Sequence, residues 1–372
     1  MRTVKQSFYD TFTCIAGDCP GTCCQGWEIE IDEDTLQKYR DYEGPCKAEL
    51  VNGVNYDRHL FRLKDNYRCF MLRDDGLCKL VKEHGEPILC DTCHMFPRHC
   101  EEYEGVREWS VTLSCPEVAH IVITGGPAEF VVTEDDEPDP LEDDFEDFDL
   151  LLYTKLEDSR EIMYSIVRDK DIPIFDRMAT ILRLAVELQR VLDDNCVYLM
   201  DDIIEEWKDY SSKVVKDDFI GDYGYILEHF HAMNDTERLT PTWQKEIDTM
   251  EELVESGRDV FDNALDEYNA YMDTLDIKHE DILENILMSF IYTFYLGAVY
   301  DDMLYAKIAM SIYFTVMIDR LVMGCRFHGN EKEFSLKKYE EITYRFTREL
   351  EHSDNNLNHL EEYWDEMFGE ED

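Results

Sequence analysis

The second half of the chain repeats apolar side chains every three or four residues, the spacing of one face of an α-helix. In TPTWQKEIDTMEELVESG, residues 240–257, Thr240 is placed to cap a helix, Pro241 falls in its first turn and Gly257 ends it. The apolar positions of this segment share one face: Trp243, Ile247, Met250, Leu253 and Val254. The pattern predicts an amphipathic helix packed against a core.

Three more segments of this half follow the helical period. One has its apolar positions at Ile181, Leu184, Leu188, Val191 and Leu192. Residues 279–323 predict two buried helices that meet near Asp301 and Asp302. A last helix is predicted from Tyr339, Ile342, Phe346 and Leu350. No series of strands is visible, so this half is predicted to be an all-α bundle.

The N-terminal part is less regular. In WEIEIDEDT the residues Trp27, Ile29 and Ile31 alternate with polar ones, which predicts a short strand, and Asp34 or Thr35 would then cap a helix. The fold class is therefore mainly α. We predict a small irregular cysteine-rich metal-binding domain over residues 1–125, an acidic linker over 126–150, and a strongly acidic, all-α helical domain over 151–372.

The formal net charge of −49 is concentrated in the second part of the chain. Residues 1–125 carry a net charge of −8, whereas residues 126–372 carry −41. Such a surface repels phosphate backbones, which argues against nucleic-acid binding, and it attracts basic partners. Solubility, or adaptation to a salty cytoplasm, explains the same charge without a partner.

Neither a secretory signal nor a membrane span is expected. The N-terminus has no apolar core, and the most apolar stretch, residues 286–300, is shorter than the roughly 20 residues that span a bilayer. The sequence predicts a soluble cytoplasmic protein without membrane insertion. In that reducing compartment, dense cysteine favours metal binding over disulfides.

Eleven of the 13 cysteines fall within residues 14–115, and their spacing suggests a metal centre. The order is C-x4-C-x3-C-C from Cys14 to Cys24, C-x8-C from Cys69 to Cys78, and C-x2-C from Cys90 to Cys93. A zinc ribbon would show two C-x2-C knuckles, and the adjacent pair Cys23–Cys24 suits one large cluster or two separate centres. Iron–sulfur is therefore favoured over zinc, and zinc over disulfides. Outside this region, Cys196 and Cys325 are interpreted as core residues.

Other side chains near the cysteines are weaker candidates. His94 and His99 lie within the cysteine-rich segment and could be ligands. Arg98, which follows Pro97, could anchor a local ion pair or contact a substrate.

Four segments of the N-terminal part resemble the flagellin lysine-N-methylase family. They are QSFYDTFTCIAGDCPGTCCQGWEIEIDEDTLQKY, CFMLRDDGLCKL, ILCDTCHMFPRH and SVTLSCPEVAH. More loosely, this part is similar to a widespread cysteine-cluster domain that chelates zinc or iron. The specific resemblance covers residues 6–120 and extends weakly over the helical remainder.

The resemblance implies an enzyme that methylates lysine side chains of flagellin, using S-adenosylmethionine and an iron–sulfur cluster of the 4Fe-4S type. Zinc is the alternative metal. Cys46, Cys90 and Cys100 fit the family pattern less surely, and Pro97–Arg98 matches the PR pair of the family. The cysteines that match it, and are therefore the implied metal ligands, are Cys14, Cys19, Cys23, Cys24, Cys69, Cys78, Cys93 and Cys115.

The residues leave the chemistry of methyl transfer open. No glycine-rich turn of a doubly wound nucleotide-binding sheet is found, and Gly26 stands where a C-x3-C-x2-C motif would need its third cysteine. Polar transfer would need a base or a desolvated pocket to make the lysine amine neutral, whereas a cluster suggests one-electron, Lewis-acid or structural roles. The alternative function is a non-catalytic iron- or zinc-binding module that docks a partner through its acidic helices.

Overall fold

A mixed β-sheet links the two ends of the N-terminal part. The computed structural model describes residues 1–134, 148–240, 243–328 and 335–370. Within these ranges the strands are β1 (Arg2–Gln6), β2 (Val54–Asn55), β3 (Leu60–Phe61), β4 (Leu63–Lys64), β5 (Arg68–Cys69), β6 (Arg98–Tyr103), β7 (Val106–Val111) and β8 (Phe130–Glu134). The sheet has the strand order β6-β7-β1-β8, with β1 parallel to β7 and the other pairs antiparallel. Two further strand pairs, β2–β3 and β4–β5, are each two residues long.

Helices make up most of the rest, which confirms the mainly α fold class. They are α1 (Phe8–Thr11), α2 (Glu33–Asp41), α3 (Lys47–Gly53), α4 (Lys79–His84), α5 (Asp91–Met95), α6 (Pro116–Thr124), α7 (Leu150–Val167), α8 (Ile174–Asp193), α9 (Met200–Trp207), α10 (Tyr223–Asn234), α11 (Trp243–Glu255), α12 (Arg258–Met272), α13 (His279–Phe294), α14 (Ala298–Asp301), α15 (Leu304–His328), α16 (Leu336–Glu351) and α17 (Asp354–Glu370).

The larger hydrophobic core is built around α15, which is buried from Leu304 to Gly324. Helices α8, α11, α13 and α17 pack around it. The sheet belongs to this core as well, because the Gln6 amide donates to the Ser289 hydroxyl (3.0 Å) and the Tyr292 hydroxyl to the carbonyl of Val4 (3.2 Å). The first strand of the chain is therefore fixed to α13.

A second, smaller core lies inside the cysteine-rich segment. It contains Ile29, Ile31, Leu36, Tyr39, Leu50 and Leu80 together with the buried cysteines Cys46, Cys69 and Cys90. In the structure, β1, β6, β7 and α6 pack with the helical core, and the predicted division at residue 125 stays a prediction. The segment between α1 and β6 supplies the residues of the smaller core.

The predicted acidic linker over 126–150 is partly structured. Residues 130–134 form β8 at the edge of the sheet, paired with β1 from Arg2↔Glu134 to Gln6↔Phe130. Residues 135–147 of the linker lie outside the described ranges. A strand was not predicted here because its five residues, FVVTE, show no alternation of apolar and polar positions.

Most of the predicted helices are confirmed. The apolar faces of α8 and α11 are buried as predicted, although Pro241 lies outside the described residues. The two buried helices over 279–323 are present, and the chain turns between them at Asp302, which has φ 60°. The helix from Tyr339 to Leu350 is present as α16, but it is not the last, because α17 follows it.

Two local predictions near residue 30 need correction. The helix α2 begins earlier than predicted, because Asp32 rather than Asp34 or Thr35 is its cap and accepts from the Thr35 N–H at 2.8 Å. The alternation at 27–31 does bury Ile29 and Ile31, yet it gives a single bridge, Glu30↔Leu60, rather than a strand.

Two stretches, His279–Asp301 and Leu304–His328, are long and apolar enough to cross a membrane. Their most apolar windows are 83% and 94% buried inside the protein. Burial of this extent is typical of the core helices of a water-soluble fold.

Candidate functional site

All thirteen cysteines lie in described ranges, and all are free thiols. The structure collects most of those in the N-terminal part into two neighbouring groups. The inner thiol group consists of Cys24, Cys69, Cys78, Cys90 and Cys93. The outer thiol group consists of Cys14, Cys19, Cys23 and Cys115.

Mutual effects on pKa show how closely the inner thiols lie. A hydrogen bond with Cys90, then burial and the charges of Cys90, Cys24 and Cys69, raise the pKa of Cys93. Burial is the largest effect on Cys69 and raises its pKa to about 12, with further contributions from Cys78 and Cys90. Five thiols are thus held within electrostatic reach in a poorly hydrated place.

Short backbone elements bring the inner thiols together. The N–H of Cys69 donates to the carbonyl of Cys24 at 2.8 Å, which joins β5 to the first cysteine loop. Gly26 follows with φ +99°, a conformation that favours glycine. Cys78 and Cys90 immediately precede α4 and α5, so backbone N–H groups of the first turns donate to their sulfurs. Such N–H donors stabilise thiolates.

The outer thiols surround Arg348 of α16. Its guanidinium donates to the carbonyls of Ser114 (2.7 Å), Thr22 (3.0 Å) and Gly21 (3.2 Å). This single side chain therefore joins the loop that carries Cys19 and Cys23 to the turn before Cys115. Burial lowers the pKa of Arg348, although Tyr344 and the nearby thiols act in the opposite direction.

The adjacent cysteines Cys23 and Cys24 divide between the two groups. A hydrogen bond with Cys24 lowers the pKa of Cys23 to about 7, against the effect of burial and with the help of Arg348. The same hydrogen bond and burial raise the pKa of Cys24 well above its usual value. Cys23 is therefore the thiol that ionises most readily of the pair.

The donor set has the chemistry of a thiolate metal site, but its side chains do not converge on one point. Among the described residues, no group of three or more Cys, His, Asp or Glu side chains is arranged to hold a metal ion. Instead, the thiol of Cys23 is hydrogen-bonded to that of Cys24, and the thiol of Cys90 to that of Cys93. Several buried thiols with N–H donors suit a soft metal or an iron–sulfur cluster, and ligation would need these side chains to rotate.

The eight predicted ligands fall four and four into these groups. Cys24, Cys69, Cys78 and Cys93 belong to the inner group, and Cys90, which fits the family pattern less surely, lies with them. Cys14, Cys19, Cys23 and Cys115 form the outer group. Whether any of them binds a metal stays a prediction.

The remaining candidates have other contacts. His94 and His99 are exposed, and His99 contacts Glu101 at 2.6 Å. Arg98 lies over the rings of Tyr9 and Phe12, at 5.4 and 5.0 Å from their centroids.

The end of α16 places two more ionisable groups beside the thiols. Glu351 accepts a hydrogen bond from the Thr112 hydroxyl, which lies 3.0 Å from the Ser114 hydroxyl, and Ser114 lies 3.2 Å from Nε2 of His352. The imidazole of His352 packs against Trp27, with 4.5 Å between ring centroids. These four polar side chains form a continuous hydrogen-bonded chain from a carboxyl group to an imidazole.

The sequence carried no signal for Arg348, Glu351 and His352. The pattern of α16 showed only its buried apolar face, and these residues lie more than 200 positions from the cysteines. Only the packing of α16 on α6 brings them to the thiol groups.

Comparisons with known proteins agree on one family. Residues 160–370 match the model of the FliB lysine N-methylase C-terminal domain. A lysine-N-methylase of Salmonella typhimurium is 30% identical over 136 residues, 33% of each chain. The flagellar biosynthetic protein FliU of Salmonella muenchen is 29% identical over 135 residues, 33% of this chain and 78% of FliU.

An uncharacterized protein of Methanocaldococcus jannaschii is 31% identical over 94 residues, 24% of this chain and 30% of its own. The chain thus spans about a third of the length of the lysine-N-methylases that it matches. No solved structure matches. The family model covers the helical half, where the sequence resemblance was weakest.

Proposed function

We propose that this chain, which belongs to the FliB lysine N-methylase family, is a cytoplasmic protein-lysine N-methyltransferase that acts on flagellin. The observation that carries the proposal is the family match over residues 160–370, more than half of the chain. The names of its relatives, lysine-N-methylase and flagellar biosynthetic protein, support the reaction and a flagellar substrate. The methyl donor in this proposal is S-adenosylmethionine.

A thiolate-bound metal centre is the second part of the proposal. Cys24, Cys69, Cys78 and Cys93 would hold a 4Fe-4S cluster, with Cys90 within reach as an alternative ligand. When bound, a cluster of this kind supplies one-electron chemistry or stabilises the fold around it. Zinc in the same thiols would supply the structural role alone.

The chain's own residues have tasks in either case. Arg348 holds the two outer thiol loops together through three carbonyl groups. The indole of Trp27 donates to the carbonyl of Cys23 at 2.8 Å and packs with the rings of Phe96 and His352. Cys69, Cys90 and Cys115 are buried, whereas Cys14 and Cys23 are exposed, so electrostatic interactions are strongest at the buried thiols.

The cytoplasmic location rests on two features of the molecule. Thirteen free thiols suit a reducing compartment. The two apolar stretches that could span a membrane are used as core helices instead.

The test is the mass of flagellin after incubation with the purified protein and S-adenosylmethionine. We expect the mass to rise in steps of about 14 Da, one CH2 per methylation, and each step to map to a lysine. Matched reactions omit the protein or the methyl donor. An unchanged flagellin mass with metal-loaded, folded protein would refute the enzymatic proposal and favour a non-catalytic binding module.

The metal is tested separately on protein purified without oxygen. Bound iron with sulfide and broad absorbance near about 400 nm supports the cluster. A colourless protein with stoichiometric zinc would replace the cluster by a zinc site and leave methyl transfer to be judged by the mass measurement.

A further inference from the structure

A cluster of polar and aromatic side chains lies at the C-terminal end of α16. Its polar part is the hydrogen-bonded chain of Glu351, Thr112, Ser114 and His352, and its aromatic part is Trp27 and Phe96, which pack against His352. We call these six residues the α16 recess. Glu351, His352, Trp27 and Phe96 are each partly exposed, so the recess is open to solvent.

The carboxyl group of Glu351 has few partners among the residues that the structure describes. Its Oε2 accepts from Thr112, but Oε1 receives no hydrogen bond from the described residues. No lysine or arginine in the described ranges forms an ion pair with it. The carboxyl groups nearby on the same helix are different, since Glu349 accepts from the Leu239 N–H at 2.7 Å and from the Thr240 hydroxyl.

The charged groups that face Glu351 come from two elements. His99 of β6 lies near enough to act on it and is itself engaged by Glu101. From α16, Arg348 is turned to the carbonyls of Gly21, Thr22 and Ser114, and His352 is the next residue. Within the described ranges, none of these three side chains forms a hydrogen bond or an ion pair with the carboxyl group.

The pKa values suit a group that exchanges a proton near neutral pH. Burial raises the pKa of Glu351 to about 7, although the hydrogen bond of Thr112 and the charge of His99 oppose the rise. Burial and the charge of Arg348 lower the pKa of His352 to about 3, so its imidazole is neutral and does not repel a cation. Aromatic rings beside such a carboxyl group also favour an ammonium or methylated amine.

We propose that the α16 recess binds the side-chain ammonium of the substrate lysine and that Glu351 accepts a proton from it. This inference rests on the proposed function. In the step, one N–H bond of the ammonium breaks, an O–H bond forms on Glu351, and the electron pair stays on nitrogen. The neutral amine is the form that can accept a methyl group.

The recess also lies where the reaction would need it. Trp27 and Phe96 each follow a cysteine of the inner thiol group by three residues, Cys24 and Cys93, and Ser114 precedes Cys115 of the outer group. The recess therefore draws its side chains from the same loops that carry thiols of both groups.

The direct test measures binding of a small probe to the full metal-loaded chain by titration calorimetry at about pH 8, where a lysine is an ammonium and Glu351 is ionised. The probe is Nα-acetyl-lysine methylamide, and its side-chain-acetylated analogue is the uncharged control. We expect Glu351→Gln to weaken probe binding by at least about tenfold, because a charge-assisted contact is lost. Unchanged affinity in a folded Glu351→Gln protein would overturn the inference.

Glu349→Gln is the matched control variant. It removes a second buried carboxyl group on the same helix, whose pKa burial also raises to about 7, but this group is occupied by Leu239 and Thr240. Its probe affinity should stay at the wild-type value, and an equal loss in both variants would indicate a general effect of charge in α16 and overturn the assignment. If Glu351→Gln does not fold, Glu351→Asp is the second variant, because its shorter side chain keeps the negative charge but moves it away from the bound ammonium. Wild-type probe affinity in Glu351→Asp would also count against binding at the α16 recess.

Flagellin methylation separates this inference from the proposed function. If wild-type protein methylates flagellin and Glu351→Gln does so with an unchanged pH profile, the assignment of Glu351 as the proton acceptor is wrong, while the proposed function stands. If neither protein methylates flagellin but the wild type alone binds the probe, the recess is a lysine site and the proposed function fails.

Discussion

Arg348 offers the sharpest test of how the helical half supports the thiol groups. Three of its nitrogens donate to carbonyls on two different loops, at 2.7, 3.0 and 3.2 Å. A lysine in its place keeps the positive charge, but its compact ammonium cannot match a planar guanidinium that reaches both loops. We therefore expect Arg348→Lys to lose two of the three hydrogen bonds.

The magnitude follows from the type of bond that is lost. A hydrogen bond to a charged group contributes about 1.5 kcal/mol or more, so two lost bonds cost about 3 kcal/mol. If this free energy is lost from the arrangement of the two loops that binds metal, metal affinity falls about 100-fold, because every 1.4 kcal/mol is a factor of about ten. The helix itself should survive, because Phe346 and Leu350 keep their places in the core.

The assay combines urea unfolding, followed by tryptophan fluorescence, with metal content per chain after dialysis. Arg345→Lys is the control, because Arg345 lies one turn earlier in α16 and contacts Glu341 and Glu246 while remaining 31% exposed. Partly exposed pairs of this kind contribute at most about 1 kcal/mol. If Arg348→Lys matched the wild type in both stability and metal content, the conclusion that Arg348 holds the two thiol loops together would be refuted.

Three other predictions can be measured on the same protein. Cys24→Ser should abolish metal uptake, because it removes a predicted ligand. Cys325→Ser should leave metal content unchanged, because Cys325 is remote from both thiol groups. An equal loss of metal in both variants would refute the ligand assignment. Asp319 is buried, yet the charges of His279 and Arg320 and its hydrogen bonds overcome burial and hold its pKa at about 2. It therefore contributes about 2 kcal/mol of stability above about pH 4, and this contribution is lost as pH falls towards 2. Asp319→Asn should remove this acid dependence of the unfolding free energy in urea titrations, and an unchanged dependence would contradict the assignment. If the net charge of −49 recruits the cationic substrate, raising the salt concentration should lower kcat/KM for flagellin without unfolding the protein, and salt independence would exclude electrostatic recruitment.

The helices could be predicted from sequence because their information is local. In α11 the apolar positions recur within single turns, and all of those named were found buried, from Trp243 to Val254. The sheet could not be predicted in this way. Its strand β1 pairs with β7 and β8, which lie more than 100 residues further along the chain, and nothing in RTVKQ specifies such distant partners.

The site was predictable only in its composition. The spacing identified the cysteines, and the adjacent pair Cys23–Cys24 already suggested either one large cluster or two centres, but the assignment of each thiol to a group needed the fold. The residues of α16 that contact the thiol loops follow no sequence motif that would have identified them. Glu351 and His352 lie at a helix end, where a carboxylate and an imidazole are ordinary surface residues until a neighbour covers them.

The thiol-bearing segment is best understood as an insertion into the fold of the helical half. It leaves the larger core after α1, which packs with α6 and β7, and returns at β6, which pairs with β7. Its own core is small, so its shape depends on what holds its ends and on any metal it binds. Helix α16 makes the closest connection, because Arg348 binds the backbone of both thiol loops and Glu351 and His352 bind the turn before Cys115. If a chemical step takes place at the thiols, side chains from both parts of the chain would therefore lie beside it.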